Sequence, residues 1–521
     1  MSTPTADLQA LANAAQRAHQ AGDLVAAERD YRRVLERAEH PALLSNFAAL
    51  LIRTQRFAEA LPLLERAAKL MPTSGVVLAN LGAAAWKAGQ PARGALVLRQ
   101  ALVLEPSLTD GWTNLAGVAI ESKQYAAALA ALERARRLAP ERPMPVFHQG
   151  VALQRSGRMA EAVEAYREAI GSAANFAEAF ANMGACLADL GRFDEADAAF
   201  GKALNLAPEQ PGWRFSRAQL RLAMGRWTEG WDEFEARWQL PQMVGKRGVA
   251  PAPEWAGEEL SGRTLLLTAE QGQGDMIKFL RFLPDLAERA GRLVLELPST
   301  LATLAVGLHP NLEIVAPGGA SGPIDFALPL MSLSRPLHLT PDSLPRAPYL
   351  AAHPAQLTKW RAKVRQGRLR AGIVWAGNPE YVLDHFRSPG LAAVRPLLEL
   401  PGIDWHVLQV GPGRAPLDSE PLPDGVIDLG SDLADFADTA AVMANLDVVV
   451  SSDTASAHLA GALGRDTRVL VPALLDWRWA EADDGRALWY QSARLYRQER
   501  LGAWHDPVER LANDLRARAE S

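Results

Sequence analysis

The stretch that decides the fold is Asn80-Leu-Gly…Gly89…Ala95…Pro106, which returns as Asn182-Met-Gly…Gly191-Arg-Phe…Ala196…Pro208. Glycine or a substitute recurs every 34 residues along this part of the chain, at Gly89, Lys123, Gly157, Gly191 and Gly225. A proline, once replaced by Ala174, follows the same period at Pro72, Pro106, Pro140 and Pro208. Each unit therefore predicts a helix, a glycine turn, a second helix and a proline stop. Such a helix hairpin cannot bury both apolar faces alone and has to stack on its neighbours.

The period and the residue types resemble the tetratricopeptide repeat over roughly residues 7 to 241, in about seven units. The first spacing is one residue short of the others. We therefore predict a tetratricopeptide-repeat superhelix over residues 1–241, and the resemblance implies that it binds a protein. The last unit is dense in tryptophan between Gly225 and Trp238. Its large apolar area indicates either a helix docked against the next domain or a tight cap on the repeat stack.

One column of the repeat is rich in asparagine, at Asn13, Asn46, Asn80, Asn114 and Asn182, with His148 and Ser216 in the remaining units. The column lies on the first helix of each hairpin and would line the concave face. A ladder of amides can donate to and accept from a peptide backbone whatever its side chains. A resemblance to the repeat arm of the O-linked N-acetylglucosamine transferases implies that use. The alternative is that asparagine is simply common at this position of the repeat.

After the repeats, residues 242–262 form a predicted linker rich in glycine and proline. Short β-rich runs then alternate with helical stretches, which predicts parallel sheets. We predict two Rossmann-like lobes, over residues 263–353 and 354–521, with a ligand in the cleft beyond the carboxyl ends of the strands. The predicted strands are Thr264–Ala269, Leu293–Leu297, Leu312–Val315, Phe326–Pro329, Ala371–Ala376, Trp405–Val410, Val426–Leu429, Val448–Ser451 and Arg468–Pro472.

The first strand runs directly into Glu270-Gln-Gly-Gln-Gly-Asp275. Gly272 and Gly274 allow a tight turn into a helix that begins at Asp275. The turn is not a dinucleotide-binding motif, because the third glycine of that motif would fall on Ile277. Asp275 is either a helix cap or a general base that faces the cleft.

A second motif, Ser452-Asp453-Thr454-Ala-Ser-Ala-His458, follows the apolar strand at Val448. Free backbone N–H groups at the start of the following helix make a site for an anion such as a pyrophosphate. His458 lies one turn beyond Thr454 on the same face. Taken singly, Asp453 is as consistent with a cap, and His458 with a structural histidine.

Two further loops carry residues suited to a nucleotide. Arg387 can contact a phosphate in bidentate fashion and Asn378 can orient hydroxyls, although a solvated loop is the alternative. Gln409 stands at a strand end before Gly411 and Gly413, where the backbone can approach a base or ribose closely. A simple turn explains those glycines equally well.

Composition excludes several classes of function. The chain has 521 residues, 48% of them hydrophobic, and a formal net charge of −5, which does not favour nucleic-acid binding. Its apolar runs are strand-sized, so we expect no membrane insertion. No signal peptide is visible at the N-terminus, and the one cysteine, Cys186, excludes internal disulfides. We predict a cytoplasmic protein.

In this order, the motifs resemble the glycosyltransferase B fold of the bacterial heptosyltransferase-like family, and more closely its members that carry tetratricopeptide repeats. The resemblance implies that Asp275 is the general base and that no metal or other cofactor is needed. It implies donor binding by Asp453, Thr454, His458, Asn378, Arg387, Ser388 and Gln409. Trp477 and Trp479, in Asp476-Trp-Arg-Trp, would wall the donor pocket, unless they serve packing alone.

One loop departs from that family, whose repeat-bearing members read G-N-P-x-H-K-N-D-R-N-R-S there. This chain has Tyr381 and Val382 at the histidine and lysine positions. A lysine would neutralise the leaving pyrophosphate, so its absence implies another donor, compensation by Arg387 or Lys278, or weaker catalysis.

We therefore predict an inverting protein O-glycosyltransferase that moves a sugar from a nucleotide sugar to serine or threonine. Its protein acceptor would be held by Asn46, Asn80, Asn114 and Asn182, and the resemblance makes a flagellin a reasonable acceptor. The alternatives are a repeat-based binding protein with a decayed catalytic unit, and a glycosyltransferase that acts on a lipid or saccharide.

Overall fold

A computed structural model describes residues 4–247, 251–270, 272–381, 384–482 and 484–520. The contacts divide the chain into two compact units, Met1–Pro208 and Glu209–Ser521. The seventh hairpin thus belongs with the α/β part, and the boundary expected after residue 241 lies inside the second unit. The physical reason is the apolar surface of that hairpin, which is described below.

The first unit consists of six helix hairpins. Their helices are α1 (Pro4–Ala21), α2 (Leu24–Leu35), α3 (Pro41–Arg53), α4 (Phe57–Leu70), α5 (Gly75–Lys87), α6 (Pro91–Leu104), α7 (Thr109–Glu121), α8 (Tyr125–Leu138), α9 (Pro143–Arg155), α10 (Met159–Ser172), α11 (Ala177–Asp189) and α12 (Phe193–Leu206). Within each hairpin, a residue with positive φ joins the two helices, at the position that the 34-residue period marks. Gly157 has a φ of 82°, and Lys123 takes the same left-handed conformation with a φ of 58°. The predicted hairpin repeat is confirmed.

The second unit begins with α13 (Pro211–Ala223) and α14 (Trp227–Phe234) and continues as α/β structure. Its strands are β1 (Thr264–Thr268), β2 (Arg292–Glu296), β3 (Leu312–Val315), β4 (Phe326–Pro329), β5 (Leu369–Val374), β6 (Ile403–Val407), β7 (Ile427–Asp428), β8 (Val448–Ser452), β9 (Thr467–Val471), β10 (Arg486–Ala487) and β11 (Tyr490–Arg497). Its further helices are α15 (Gln273–Phe279), α16 (Leu283–Arg289), α17 (Ser299–Ala305), α18 (Pro354–Arg361), α19 (Asp384–Arg387), α20 (Gly390–Leu398), α21 (Phe436–Ala444), α22 (Ala455–Ala462) and α23 (His505–Glu520).

The strands form two sheets, with the orders β3-β2-β1-β4 and β10-β11-β9-β8-β5-β6-β7. Every named strand pair is parallel except β10 with β11. The prediction of parallel sheets is thus confirmed. The strands β10 and β11 were not among the predicted ones. Polar and apolar residues do not alternate regularly along β11, from Tyr490 to Arg497, so the sequence pattern of a strand is weak there and the pairing with β9 and β10 defines it.

The tryptophan-rich hairpin packs on the α/β structure. The ring of Trp227 stacks on Trp489 with centroids 5.1 Å apart, and Trp231 meets the edge of Trp477 at 5.1 Å. A buried ion pair adds to this contact, because Arg237 donates to both carboxylate oxygens of Glu270, at 3.0 and 3.1 Å. The predicted docking of this hairpin is therefore observed.

The two sheets share one continuous apolar core within the second unit. It extends from Leu265 on β1 to Val469 on β9 and includes Ala457 on α22. The open cleft expected between two lobes is correspondingly reduced, since α15 of the first sheet packs directly on α22 of the second. This close contact determines the shape of the site.

Candidate functional site

A charged cluster lies where the carboxyl ends of β1, β5 and β8 meet. Gly272 has a φ of 90°, which glycine adopts without strain, and it turns the chain from β1 into α15. Asp275 therefore stands in the first turn of α15, beside the segment Asp476–Trp479 of the second sheet. Parallel sheets bind ligands at this end of their strands.

Asp275 is held by a bidentate ion pair with Arg478. The Arg478 Nε and Nη2 atoms lie 2.7 Å from the two carboxylate oxygens, and Lys278 Nζ lies 3.2 Å from Oδ1. Burial alone would raise the pKa of Asp275, but the two cations outweigh it and hold the pKa well below its usual range. Asp275 is only 8% exposed, in contrast to the prediction of a base that faces an open cleft.

Lys278 is buried under aromatic rings. Its side chain is fully enclosed, and its ammonium lies 3.6 Å from the centre of the Trp477 ring and 4.6 Å from that of Trp489. Burial lowers the pKa of Lys278 to about 7. Lys278 contacts Asp275 on its buried side. In this conformation its ammonium is not placed to meet a leaving pyrophosphate, in contrast to the predicted compensation by Lys278.

The start of α22 forms the second wall of the cluster. Trp479 Nε1 donates to Asp453 at 2.6 Å, and the Trp479 ring stacks on His458 with centroids 4.6 Å apart. His458 Nδ1 is also 3.2 Å from the Tyr490 hydroxyl. Burial and the nearby Asp476 raise the pKa of Asp453 to about 6, whereas burial lowers the pKa of His458 well below its usual value. His458 is therefore a neutral, packed ring.

No gap separates the loop at Asp275 from the start of α22. A Cβ on Gly274 would lie 2.5 Å from His458 Cδ2 and 3.4 Å from the Ala455 Cα. The expectation of a space for a sugar between the position of Asp275 and the helix start near Thr454 is therefore wrong in this conformation. The physical reason is that Gly274 has no side chain, so α15 packs in direct contact with His458 and Ala455 of α22.

The loop after β5 contributes a second arginine. Arg387 Nε donates to Asp384 at 3.0 Å, and its guanidinium lies 4.5 Å from the centre of the half-exposed Tyr381 ring. Ser388 accepts from the Gly377 N–H at 2.9 Å. The charges of Arg387 and Arg478 both act on Asp453, so Arg387 belongs to the cluster.

Two other predicted donor-binding residues have local partners. Asn378 is exposed and accepts from the Glu380 N–H, as in a turn. Gln409 is buried, and its side-chain amide makes four hydrogen bonds, all with the backbone. Its oxygen accepts from the N–H groups of Trp375 and Ala376, and its NH₂ group donates to the carbonyls of Ala376 and Val410. In this conformation Gln409 positions the loop after β5 and offers no free polar atom. Val382 lies outside the described residues.

Arg478 and Asp476 were missed as functional residues. Asp476 accepts from the Arg478 N–H at 2.9 Å and caps a single 3-10 turn, Trp477–Trp479. The turn buries both tryptophans and directs the arginine between them to Asp275. In the sequence, the arginine between two tryptophans after a capping aspartate, Asp476-Trp-Arg-Trp, could have indicated that Arg478 is held in a fixed position. Trp477 serves packing, while Trp479 holds Asp453.

The asparagines of the repeats lie on the first helix of their hairpins, as predicted. Asn13 is exposed, and Asn46, Asn80, Asn114 and Asn182 are half-buried. Asn182 has a hydrogen bond to Tyr166, so part of its amide is engaged. Whether the column binds a peptide stays a prediction.

Across the ranges given above, no three His, Cys, Asp or Glu side chains gather closely enough to hold a metal ion. In the same ranges, no helix has both the length and the apolar character needed to span a membrane.

Comparisons with known proteins agree with this organisation. Models of the tetratricopeptide repeat match residues 80–143, 113–179 and 177–210. Protein FlbA of Caulobacter vibrioides is 29% identical over 548 residues, which cover 98% of this chain and 90% of FlbA. The human Protein O-mannosyl-transferase TMTC1 is 27% identical over 192 residues, or 36% of this chain, and the match spans only 22% of TMTC1.

Solved structures of repeat proteins are similar to part of this chain, with low TM-scores. The APC/C hetero-tetramer Cut9–Hcn1 has 14% identity and a TM-score of 0.41, and covers 44% of this chain and 46% of its own. A thermophilic TPR protein of Thermus thermophilus has 22% identity and a TM-score of 0.33, over 35% of this chain and 100% of its own. From the sequence models and the hairpins together, the N-terminal part of the chain is built of tetratricopeptide repeats.

Proposed function

We propose that the chain is a glycosyltransferase that transfers a sugar from a nucleotide sugar to a hydroxyl of a protein. The observation that carries the proposal is the cluster at the carboxyl ends of both sheets, where Asp275 pairs with Arg478 and where Asp453, held by Trp479, stands at the start of α22. It combines a carboxylate able to accept a proton with two arginines able to bind a diphosphate.

The proposed reaction is a single displacement with inversion. The Asp275 carboxylate accepts the proton of a serine or threonine hydroxyl while that oxygen bonds to the anomeric carbon. The bond from this carbon to the phosphate oxygen breaks, and the nucleoside diphosphate leaves with the electron pair. Arg387 and the N–H groups at the start of α22 stabilise its charge, with no divalent cation required.

The strand end before α22 contains a buried hydroxyl group that makes no hydrogen bond within the described residues. The Ser452 hydroxyl is buried without a hydrogen-bond partner in the described part of the chain. An unpaired buried hydroxyl costs about 1–3 kcal/mol, which a ligand atom at this strand end would offset. Thr454, half-buried at the helix cap, makes no capping bond; its hydroxyl lies 3.2 Å from that of Ser451, a contact that a phosphate oxygen would replace or share.

The relatives support the proposal at the level of class. TMTC1 is by name a protein O-mannosyl-transferase, and it matches about a third of this chain. FlbA matches nearly the whole chain, so the similarity extends over both the repeats and the α/β unit. The inverting mechanism and the choice of serine or threonine remain proposals, and a flagellin acceptor rests on family resemblance.

The repeats are the proposed acceptor site. Tetratricopeptide repeats generally bind proteins, and we propose that Asn46, Asn80, Asn114 and Asn182 contact the acceptor backbone. The double variant N80A/N114A should weaken binding of a peptide acceptor about tenfold or more, since two hydrogen-bonding amides are lost. Gln124→Ala, at the start of a second helix, is the control and should not change the affinity.

A thermal-shift screen with nucleoside diphosphates and nucleotide sugars tests donor binding. A ligand at 100 times its Kd stabilises the folded chain by about 2.7 kcal/mol. We expect one nucleotide to raise the unfolding temperature of the chain, and Arg387→Ala to reduce that rise. Arg361→Ala, an exposed arginine on α18, is the matched control. If no nucleotide shifts the transition, the proposal is contradicted.

A binding protein with an inactive catalytic unit is the second candidate. The closed ion pair of Asp275 with Arg478 and the packing of Gly274 on His458 favour it. Turnover separates the two, because an inactive unit binds a nucleotide sugar without cleaving it. Intact mass of the protein acceptor then distinguishes protein transfer from transfer to a lipid or saccharide, which leaves every protein mass unchanged.

A further inference from the structure

Arg478 bridges a buried carboxylate and a partly exposed one. Two of its nitrogens contact Asp275, while Nη1 lies 3.2 Å from Asp476 Oδ1. The Arg478 side chain is 22% exposed and Asp476 is 26% exposed, whereas Asp275 lies beneath them. An anion arriving from solvent therefore meets the guanidinium before it meets Asp275.

The charged and titratable neighbours of Arg478 come from several elements. They are Asp275 and Lys278 on α15, Asp453 after β8, His458 on α22, Asp476 on its own turn, and Arg387 after β5. The three carboxylates attract the guanidinium, and the cations Lys278 and Arg387 repel it. A diphosphate bound beside Arg387 adds at least two negative charges on the exposed side, which tips this balance toward the ligand.

The anchoring of Arg478 differs from that of its neighbour Arg281. Arg281 donates to the backbone carbonyls of Lys278, Pro345 and Trp489, which cannot move away without unfolding the loops. Arg478 is held by the carboxylates of Asp275 and Asp476 and by its contact with the Trp477 ring. A carboxylate partner can be exchanged for a phosphate, because both bind the same guanidinium edge.

We propose that Arg478 is a donor-operated switch, which leaves Asp275 to bind the diphosphate of the nucleotide sugar and thereby frees Asp275 to accept the proton of the acceptor. This inference rests on the proposed function. The switch itself exchanges ion pairs and makes or breaks no covalent bond. Without a donor, Asp275 stays paired and is a poor base. With a donor, the carboxylate loses its strongest cation and becomes a better proton acceptor.

The switch implies an order of binding. Because the base is released only when the diphosphate is bound, the donor binds before the acceptor can react. Departure of the nucleoside diphosphate returns Arg478 to Asp275 and closes the site again. Without donor, the chain remains in the paired state that the structure shows.

Calorimetric titration of the full chain with uridine, guanosine, cytidine and adenosine diphosphates tests the switch. We expect the nucleotide that binds the native chain to bind Arg478→Gln at least tenfold more weakly and Arg478→Lys at an intermediate affinity. Arg281→Lys is the matched control and should bind like the native chain. Melting curves of each variant show that a loss of affinity is not a loss of folding.

Proton uptake gives a readout that a merely structural arginine would not move. Titrations at pH 5.5 in two buffers of different ionisation enthalpy measure the protons taken up per nucleotide. We expect uptake by the native chain that Asp275→Asn and Arg478→Gln both reduce. Asp453 also titrates near this pH and feels the charge of Arg478, so the uptake that remains in Asp275→Asn, which keeps that arginine, measures the contribution of Asp453.

The outcomes separate the switch from the proposed function. If a nucleotide binds the native chain and Arg478→Gln equally well, and uptake is the same with and without Asp275, the switch is wrong and donor binding stands. If none of the four nucleotides binds the native chain, the proposed function fails as well. Weaker binding together with lost uptake supports both.

Discussion

The repeat unit and the α/β unit build their polar contacts on different scales. In Met1–Pro208 the ion pairs are mostly exposed and join residues of one helix or of neighbouring hairpins, as between Arg192 and Glu195 or between Arg93 and Glu65. In Glu209–Ser521 the pair that defines the site joins Asp275 and Arg478, which are 203 positions apart, and it is largely buried. Charge therefore has little structural weight in the first unit and a large weight in the second.

The largest expected difference comes from removing one arginine in each unit. Arg478→Leu leaves Asp275 buried without its main partner, and we expect it to lower the free energy of unfolding by about 3–5 kcal/mol. Arg192→Leu removes an exposed pair and should cause no resolvable change. Urea unfolding followed by tryptophan fluorescence measures the second unit, because all but Trp86 and Trp112 of the 14 tryptophans lie there. A small loss in Arg478→Leu would contradict the buried pair.

Adding one methyl group in each unit is the next comparison. A Cβ on Gly274 would lie 2.5 Å from His458, and one on Gly117 would lie 2.2 Å from Trp86. Overpacking of this kind costs about 1–3 kcal/mol, so we expect both alanine variants to be destabilised. Only Gly274→Ala should also change nucleotide affinity, because it displaces α15 from α22. Equal nucleotide affinity in the two variants would show that this contact does not shape the site.

Lys278 gives the second unit a pH dependence in the neutral and alkaline range. Burial lowers its pKa to about 7 from 10.5, so between these values the unfolded chain binds one more proton than the folded chain. The free energy of unfolding should therefore rise with pH across this window, by at most about 1.4 kcal/mol per pH unit. Lys278→Met should flatten that rise between pH 7 and 9. An unchanged slope would mean that Lys278 stays charged.

The smallest expected effect lies in a turn of the repeats. Lys123 adopts a φ of 58° where Gly157 adopts 82°, and a side chain in this left-handed region costs about 1 kcal/mol. Lys123→Gly should stabilise the first unit by up to that amount, and Gly157→Ala should destabilise it similarly. Thermal unfolding followed by far-ultraviolet circular dichroism measures both. A destabilised Lys123→Gly variant would show that the lysine side chain makes up for its strain.

The same difference in scale explains what the sequence could predict. The 34-residue period predicted the hairpins, their turns and the place of the asparagines, because each of these depends on residues close in the chain. The strands from β1 to β9 followed from short apolar runs. The strand β11 did not, because its alternating pattern is weak and its pairing with β9 decides it.

The site was predicted in part. The loop at Asp275 and the start of α22 do come together, and both follow the carboxyl ends of parallel strands, where ligands bind. The partner of Asp275 could not be read from the sequence, since nothing near Arg478 in the chain points to residue 275. The closed contact of Gly274 with His458 was equally hidden, because it depends on how α15 packs on α22.

The most direct test of the account is the release of nucleoside diphosphate from a nucleotide sugar, in the presence of a protein acceptor, by the native chain and by Asp275→Asn. We predict turnover by the native chain and a loss of 10²- to 10⁴-fold in the variant, with nucleotide binding retained, because only the proton acceptor is removed. Native turnover in Asp275→Asn would contradict the account. So would the absence of turnover in a native chain that binds both ligands.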